Sequence, residues 1–180
     1  MQVRFGPCLL ELKHGDIAIQ ETDAIVNAAN SALAGGGGVD GAIHDAAGPS
    51  IMEETQKRYP DGCPTGEAVV TSAGSLACQY IVHTVGPIWR GGQRDEVRLL
   101  KSAYSSSLSR AVELDCQSIA FPAISTGAYN YPADLAATHS LEAVRDFLIE
   151  YKAPKHARFV LFSEGMYGAF AHALDELIRA

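Results

Sequence analysis

The segment that most constrains the fold of this chain is residues 27–48, NAANSALAGGGGVDGAIHDAAG. It follows a short apolar run, residues 24–26, which predicts a buried strand. Four consecutive glycines, Gly35 to Gly38, then lead into residues 39–47, where alanines favour a helix. A strand, a glycine-rich turn and a helix start together let bare backbone N–H groups face an anion. We therefore expect an anion, such as a phosphate, to bind at this turn.

Polar side chains surround the predicted turn. Asp40 falls at the start of the helix, and His44 lies one turn later on the same face. Asn27 and Asn30 stand where the strand ends, the place at which ligands gather in open α/β sheets. Each residue also has a structural interpretation: Asp40 suits the helix dipole, Asn27 suits a turn, and His44 suits an ordinary helix position. The residue types alone leave both interpretations open.

The glycine run does not match the common nucleotide-binding fingerprints. No Gly-Lys-Ser or Gly-Lys-Thr follows it, which excludes the lysine of a P-loop. The spacing to a third glycine and to an acidic ribose ligand also differs from the dinucleotide pattern. ATP and intact NAD are therefore not the expected ligands.

A second candidate binding loop follows another apolar run, residues 118–124, which predicts a buried strand. The loop consists of Ser125, Thr126, Gly127, Ala128 and Tyr129. Its small side chains leave backbone N–H groups open directly after a strand, as in the glycine loop. An ordinary connection to a helix would explain the glycine. It would not explain a second small-residue loop that ends in an aromatic residue.

The composition is that of one soluble globular domain, which we expect to span residues 1–180. Hydrophobic residues make up 47 % and charged residues 19 % of the chain, and its length allows a sizeable core. The formal net charge of −7 argues against a broad electrostatic grip on nucleic acid. Backbone N–H groups can still hold a diphosphate on an acidic protein.

The cysteines and histidines predict neither disulfides nor a metal site. Four cysteines lie far apart without a Cys-x-x-Cys pair, and no signal-like segment is present, so we expect reduced thiols and a cytoplasmic location. The six histidines show no His-x-x-x-His spacing, and we expect no metal and no cofactor. No apolar stretch is long enough to span a bilayer, so no membrane partner is expected.

Strands and helices alternate along the chain, which predicts an α/β sandwich. Apolar residues that begin at Val97 form the buried stripe of one helix, and the four serines within residues 102–107 are expected on its solvent face. In a later helix, Leu135 is the first of the residues expected to face inward. The C-terminal helix is expected over residues 168–178.

Three further residues have ordinary structural interpretations. His83 lies within a β-rich run, residues 80–85, and we interpret it as a core histidine without a chemical role. Asp16 follows a glycine, which is typical of a turn. Phe162 ends the last apolar run and would suit a buried core position.

Five motifs in this order, NAAN, GGGGVDGAIH, PTGEAVVT, IVHTVGP and FPAISTGAYNYP, resemble the macrodomain family. Within it they are most similar to the MacroD-type group, which hydrolyses O-acetyl-ADP-ribose and removes mono-ADP-ribose from acidic protein side chains. The resemblance extends from residues 15–17 to the last predicted strand. It implies a three-layer α/β/α sandwich with a mixed central sheet and with ligand loops at the C-terminal ends of strands.

The resemblance also implies where ADP-ribose would lie. The Asp16 carboxylate would accept a hydrogen bond from the adenine amino group, with the Ile17 N–H alongside and Phe162 against the adenine face. Tyr129 would flank the distal ribose. The two loops would clamp the diphosphate from both sides, through Gly37, Gly38, Val39, Ser125, Thr126, Gly127 and Ala128.

Four residues are the catalytic candidates that this resemblance implies: Asp40, Asn30, His44 and Tyr129. Asp40 would orient or deprotonate a water near the distal ribose, a task that the ligand's own phosphate could share. Asn30 would hold ribose hydroxyls, and His44 would support Asp40 or the ribose. Asn27 is expected at the ligand or as a brace of the loop. Nothing resembles a nucleophile triad, so we expect water to attack directly without a covalent intermediate.

The alternative is a non-catalytic module that only binds ADP-ribose, and the GVDGAIH run with Asp40 favours the hydrolase. A domain that binds an RNA terminus is a more distant alternative, which the acidic charge disfavours. The expected partners are ADP-ribose, O-acyl-ADP-ribose and mono-ADP-ribosylated proteins. Three residues depart from the family pattern: Asn130 stands where glycine is usual, Ser163 where aspartate is common, and Asp45 where a basic residue is frequent. These departures concern substrate preference more than binding.

Overall fold

The computed structural model describes residues 1–180 and contains one seven-stranded sheet. The strands are β1 (Gln2–Phe5), β2 (Cys8–His14), β3 (Ala24–Ala28), β4 (Ala68–Ser72), β5 (Tyr80–Thr84), β6 (Ser118–Phe121) and β7 (His156–Leu161). Their order across the sheet is β1-β2-β7-β6-β3-β5-β4. The five inner strands run parallel, and β1 and β4 pair antiparallel at the two edges. The predicted mixed sheet is therefore confirmed.

Strand β3 lies inside the sheet and is apolar along most of its length because both of its faces are covered. Ala24 and Val26 pack into the larger core cluster, and Ile25 packs into a second cluster on the opposite face. β6 and β5 pair with β3 on its two sides. The strand therefore delivers the residues that follow it, 27–30, to the middle of the C-terminal edge of the sheet.

Five helices cover the sheet: α1 (Gly38–Ala47), α2 (Ser50–Arg58), α3 (Glu96–Glu113), α4 (Ala133–Tyr151) and α5 (Glu164–Arg179). A short 3₁₀ helix, Ile17–Ile19, follows β2. Helices α1 and α2 bury Ile43 and Ile51 in the cluster on one face. Helices α3, α4 and α5 contribute to the larger cluster on the other face, for example through Leu141 and Phe170. This arrangement confirms the predicted three-layer α/β/α sandwich.

Two apolar residues that were expected in the core are exposed. Leu135 is 42 % exposed, and Val97 is 36 % exposed. Leu135 lies six residues before the buried Leu141, which places it about 120° away around the helix. Val97 has the right phase and lies in the first turn of α3, where the neighbouring Glu96 is the buried residue. Both predictions were wrong for these local reasons.

The serines of α3 do not form a solvent face, contrary to the prediction. Ser107 is fully buried and donates to the Ala103 carbonyl at 2.7 Å. Ser102 and Ser106 both donate to the carbonyl oxygen of Gly66 at 2.8 Å. A serine hydroxyl can donate its hydrogen to a backbone carbonyl oxygen. A serine that makes this bond can be buried, although serine is usually a surface residue. The serine face of α3 therefore anchors the loop before β4.

Helix α5 begins at Glu164, four residues before the predicted start at position 168. The Ser163 hydroxyl accepts a hydrogen bond from the Met166 N–H at 3.1 Å and caps the helix. Such a cap stabilises a helix end by about 1 kcal/mol, enough to extend it past the glycines in its first turns.

Two sequence-level expectations concern the whole chain. All four cysteines are buried, and none forms a disulfide. None of the five helices combines the length and the apolar character that crossing a bilayer requires.

A buried carboxylate fixes the loop between β5 and α3. Glu96 is 1 % exposed and accepts backbone hydrogen bonds from Arg90 at 3.0 Å, from Gly92 at 2.7 Å and from Arg94. Burial alone would raise the pKa of the Glu96 carboxyl, but the backbone N–H groups outweigh burial and lower it. The sequence analysis missed this residue because an acidic residue at a helix start has a simpler explanation.

We expect Glu96→Gln to lower Tm, because an amide offers only one acceptor oxygen to N–H groups that the carboxylate satisfies with two. The pKa of this group is lowered in the folded state, so its contribution is present above the ordinary value of 4.5 and is lost as the pH falls. Thermal unfolding should therefore show the largest difference from wild type near pH 7 and a narrowing difference below pH 4.5. Glu150→Gln, at an exposed position, is the control. Equal Tm values for both variants at pH 7 would contradict this role.

Candidate functional site

A cavity of about 740 Å³ lies at the edge where the five parallel strands end. Its wall is drawn from the segments at the ends of all five: residues 15–17 after β2, 28–30 at the end of β3, Gly86 after β5, 122–129 after β6 and Phe162 after β7. The start of α1, residues 36–40, forms a further part of the wall. This is the position at which open α/β sheets bind ligands, and the volume suits a small molecule.

The glycine loop is held in shape by the Asn30 side chain. Its Nδ2 donates to the Gly35 carbonyl at 2.8 Å, and its Oδ1 accepts from the Ala34 N–H at 3.0 Å. Asn30 also lines the cavity. The side chain that was expected to hold ribose hydroxyls therefore also braces the loop beneath them.

The close approach of the loop to α1 requires a small residue inside the helix. A Cβ on Gly41 would lie 2.6 Å from the Gly36 carbonyl oxygen. Gly37 and Gly38 line the cavity at the start of α1, where the first backbone N–H groups have no partner inside the helix. The predicted strand, glycine-rich turn and helix start are therefore present, and anion binding there stays a prediction.

The second loop starts at Pro122, because β6 ends at Phe121 and not at the predicted residue 124. Ser125 has a φ of 68°, and its hydroxyl is buried without a hydrogen-bond partner. Gly86 allows this loop to approach, since a Cβ there would lie 2.2 Å from Ser125 Oγ. Tyr129 lines the cavity, and its carbonyl accepts from the Trp89 N–H at 2.8 Å.

The segment after β2 carries Asp16, for which the predicted turn role is confirmed, while the contact with adenine stays a prediction. Its Oδ1 accepts from the Ala18 N–H at 2.9 Å and caps the 3₁₀ helix, and the residue also lines the cavity. Gln20 donates to the Asp16 carbonyl at 2.7 Å. The guanidinium of Arg158 donates in turn to Gln20 Oε1 at 2.9 Å and to Glu11 at 2.7 Å. Gln20 and Arg158 therefore support the Asp16 backbone, and the sequence analysis did not identify either residue.

Ile17 and Phe162 complete this end of the cavity. Ile17 is 5 % exposed and packs into the core cluster beneath α1. Phe162 is 82 % exposed, so the alternative of a buried core phenylalanine is wrong. An aromatic ring left in water at a cavity rim is available to stack on a flat ligand.

Asp40 lines the cavity, and its carboxylate is held from below. The residue is 6 % exposed, and its Oδ1 accepts from Asn27 Nδ2 at 2.8 Å and lies 3.2 Å from His44 Nε2. Asn27 is fully buried and does not line the cavity, so its expected influence on a ligand would run through Asp40. His44 likewise contacts Asp40 and faces a neighbouring shallow groove beside Pro49 and Met52.

His83 is the polar residue that the sequence analysis set aside. It is 1 % exposed, its Nδ1 lies 3.1 Å from Asn27 Nδ2, and its Nε2 lies 2.9 Å from Thr71 Oγ1. Burial, with a further effect of His44, lowers the pKa of His83 to about 3. Asn27 and His83 are direct partners in the pairing of β3 with β5. Only the strand register brings them together, and the sequence does not state that register.

We expect Gly86→Ala to weaken ligand binding, because the new Cβ would lie 2.2 Å from Ser125 Oγ and 2.5 Å from Ile124 Cγ2. Overpacking of this kind destabilises a protein by about 1–3 kcal/mol and would displace the second loop. Gly168→Ala is the control, since no atom lies within 4 Å of its Cβ position and alanine favours the helix. Calorimetry with ADP-ribose, the ligand implied by the resemblance, and thermal unfolding would measure both effects. Unchanged affinity in Gly86→Ala would show that the loop does not depend on this approach.

Comparison with known proteins agrees with this geometry. A family model described as Macro domain matches residues 26–139. The chain is 53 % identical over 170 residues to a macro domain-containing protein of Caldanaerobacter subterraneus, covering 93 % of this chain and 97 % of that protein. It is 50 % identical over 157 residues to the O-acetyl-ADP-ribose deacetylase of Citrobacter koseri, covering 86 % and 89 %. The structure of the Oceanobacillus iheyensis macrodomain with ADP is 40 % identical, with a TM-score of 0.94 over 99 % of this chain and 96 % of that chain. The chain therefore belongs to the macrodomain family.

Proposed function

We propose that this protein binds ADP-ribose and hydrolyses O-acetyl-ADP-ribose to ADP-ribose and acetate. The observation that carries this proposal is the Asp40 carboxylate, which lines the cavity while Asn27 and His44 hold its Oδ1. A carboxylate fixed at the wall of a ligand cavity can orient a water molecule for attack. The similarity to the O-acetyl-ADP-ribose deacetylase of Citrobacter koseri supports the same reaction.

The ligand would lie across the cavity in the orientation that the family resemblance implies. The adenine would stack on Phe162, with its amino group directed to Asp16. Backbone N–H groups at the start of α1 and in the loop of residues 125–129 would hold the diphosphate, as helix N-termini and small-residue loops do. The distal ribose would then lie between Asn30 and Tyr129. The structure of the Oceanobacillus iheyensis macrodomain with ADP supports an adenine nucleotide as the kind of ligand that this fold binds.

The reaction would proceed by direct attack of water on the ester carbonyl. The new bond forms between the water oxygen and the carbonyl carbon, the bond to the ribose oxygen breaks, and a proton passes to that oxygen. Asp40 would orient the water through Oδ2, with the ligand phosphate as a possible second proton acceptor. Ser125 and Thr126 lie in the cavity wall, but no histidine lines it to activate either as a nucleophile. The four unpaired cysteines support a reducing, cytoplasmic compartment for this activity.

The decisive experiment compares wild type, Asp40→Asn and Asp40→Ala in O-acetyl-ADP-ribose hydrolysis and in ADP-ribose calorimetry. Turnover should fall by about 10²–10⁴-fold in both variants, the range that a positioned proton acceptor supplies, while Kd changes little. Asp45→Asn removes the same charge from an exposed position on α1 and should retain activity. Tight binding without turnover in wild type would instead establish a non-catalytic ADP-ribose-binding module.

A second proposed activity is removal of mono-ADP-ribose from acidic protein side chains. Arg90 and Arg94 are exposed on the loop whose Trp89 N–H bonds to the Tyr129 carbonyl at the cavity wall. Both positive charges lie on a loop that contacts the cavity wall through Trp89, on a chain whose net charge is −7. They would attract a modified protein segment rich in carboxylates, which the acidic remainder of the surface would repel.

We expect the double variant Arg90→Ala/Arg94→Ala to lose activity on a mono-ADP-ribosylated acidic peptide while keeping activity on O-acetyl-ADP-ribose. The loss should appear in KM, weaken as salt is added, and reach about 3–10-fold at low ionic strength. Arg4→Ala/Arg179→Ala removes the same charge at exposed positions in the first strand and at the end of α5. Equal losses of activity in the two double variants would show that the effect depends on net charge and not on the position of the arginines.

A further inference from the structure

A chain of hydrogen bonds runs beneath the cavity from β4 to α1. Asn27 Nδ2 lies 2.8 Å from Asp40 Oδ1 and 3.1 Å from His83 Nδ1. His83 Nε2 lies 2.9 Å from Thr71 Oγ1, and that hydroxyl donates to the Ser72 carbonyl at 2.9 Å. Asn27 and His83 are both buried within the sheet, so no solvent competes for these bonds.

In this series of hydrogen bonds, the direction of each bond can be assigned. An ionised carboxylate only accepts hydrogen bonds, so Asn27 must direct its amino group at Asp40. The second hydrogen of that amino group points at His83 Nδ1, which must then be unprotonated. His83 therefore carries its proton on Nε2 and donates it to Thr71, whose own hydrogen is used on the Ser72 carbonyl.

His83 Nδ1 is a second acceptor, beside Asp40 Oδ1, for the amino group of Asn27. The Asn27 Oδ1 is buried and has no hydrogen-bond partner, which costs free energy that the bonds of the amino group must offset. The reverse orientation would direct Oδ1 at both the Asp40 carboxylate and the unprotonated His83 nitrogen. Two acceptors on the same side of the amide therefore fix where its two hydrogens point.

We propose that His83 is a positioning residue that sets the orientation of the Asp40 carboxylate through the Asn27 amide. The inference rests on the proposed hydrolysis at Asp40. His83 holds the Asn27 amino group against Asp40 Oδ1, so that Oδ2 is the oxygen left for the cavity. The histidine is neutral in this role, since burial holds its pKa at about 3. It does not line the cavity.

The test compares His83→Asn with His83→Gln. An asparagine oxygen can occupy the place of Nδ1 and accept from Asn27, whereas a glutamine amide reaches the place of Nε2 and keeps only the Thr71 contact. We expect His83→Asn to retain kcat within about threefold and His83→Gln to lose about 10–100-fold, the effect of a catalytic group displaced by about 1 Å. KM and the Kd for ADP-ribose should stay within about threefold of wild type in both.

A role in packing alone predicts a different pattern, in which both variants lose activity in parallel with stability. Wild-type kcat in His83→Gln would overturn the inference and leave the proposed function intact. Absence of turnover in wild type would defeat the proposed function, and the inference with it. If His83→Gln does not fold, Thr71→Val provides the test, because it removes the acceptor that keeps the proton on Nε2. We expect it to lower kcat without changing the Kd for ADP-ribose.

Nitrogen-15 spectroscopy of the histidine ring gives a readout that does not depend on turnover. Wild type should show a protonated Nε2 and a bare Nδ1 at His83 from pH 5 to pH 9, and Thr71→Val should shift the ring toward the other tautomer. A protonated Nδ1 in wild type would reverse the direction of the chain and overturn the inference.

Discussion

The hydrogen bond between Asn27 and Asp40 joins the three parts on which the site depends. Asn27 is the penultimate residue of β3 in the middle of the sheet, Asp40 lies in the first turn of α1, and the glycine loop connects β3 to α1. The bond acts together with the Asn30 side chain, which braces the loop, because the glycines themselves do not restrict the loop conformation. A buried amide therefore links the strand end beneath the cavity to the helix that forms one of its walls.

The sequence predicted the parts of the site that are contiguous in the chain. The glycine loop, the loop of residues 125–129 and the start of α1 each follow from local composition after a strand. What it could not supply are contacts between strands. The bond between His83 and Asn27 depends on the register of β3 with β5. The approach of Gly86 to Ser125 likewise depends on the order of strands in the sheet.

Two residues each make a structural hydrogen bond and also line the cavity. Asp16 caps a 3₁₀ helix and lines the cavity, and Asn30 braces the glycine loop and lines the cavity. For Asp16 the cap follows from local backbone chemistry, whereas the brace role that was expected of Asn27 belongs to Asn30. The mispredicted exposures of Leu135 and the serines of α3 have a simpler origin, since helix phase and partner loops decide burial at those positions.

The pairing of β2 with β7 has a consequence for how this protein acquires its function during synthesis. Leu9 pairs with His156, so β2 cannot form this pairing until β7, almost 150 residues later in the chain, has been synthesised. Contacts of such long range form late and slowly. The adenine end of the cavity, between the segment after β2 and Phe162 after β7, is therefore completed only when the nascent chain has delivered its last strand. A ligand that spans the cavity would stabilise only the finished fold and would discriminate against every partially folded intermediate.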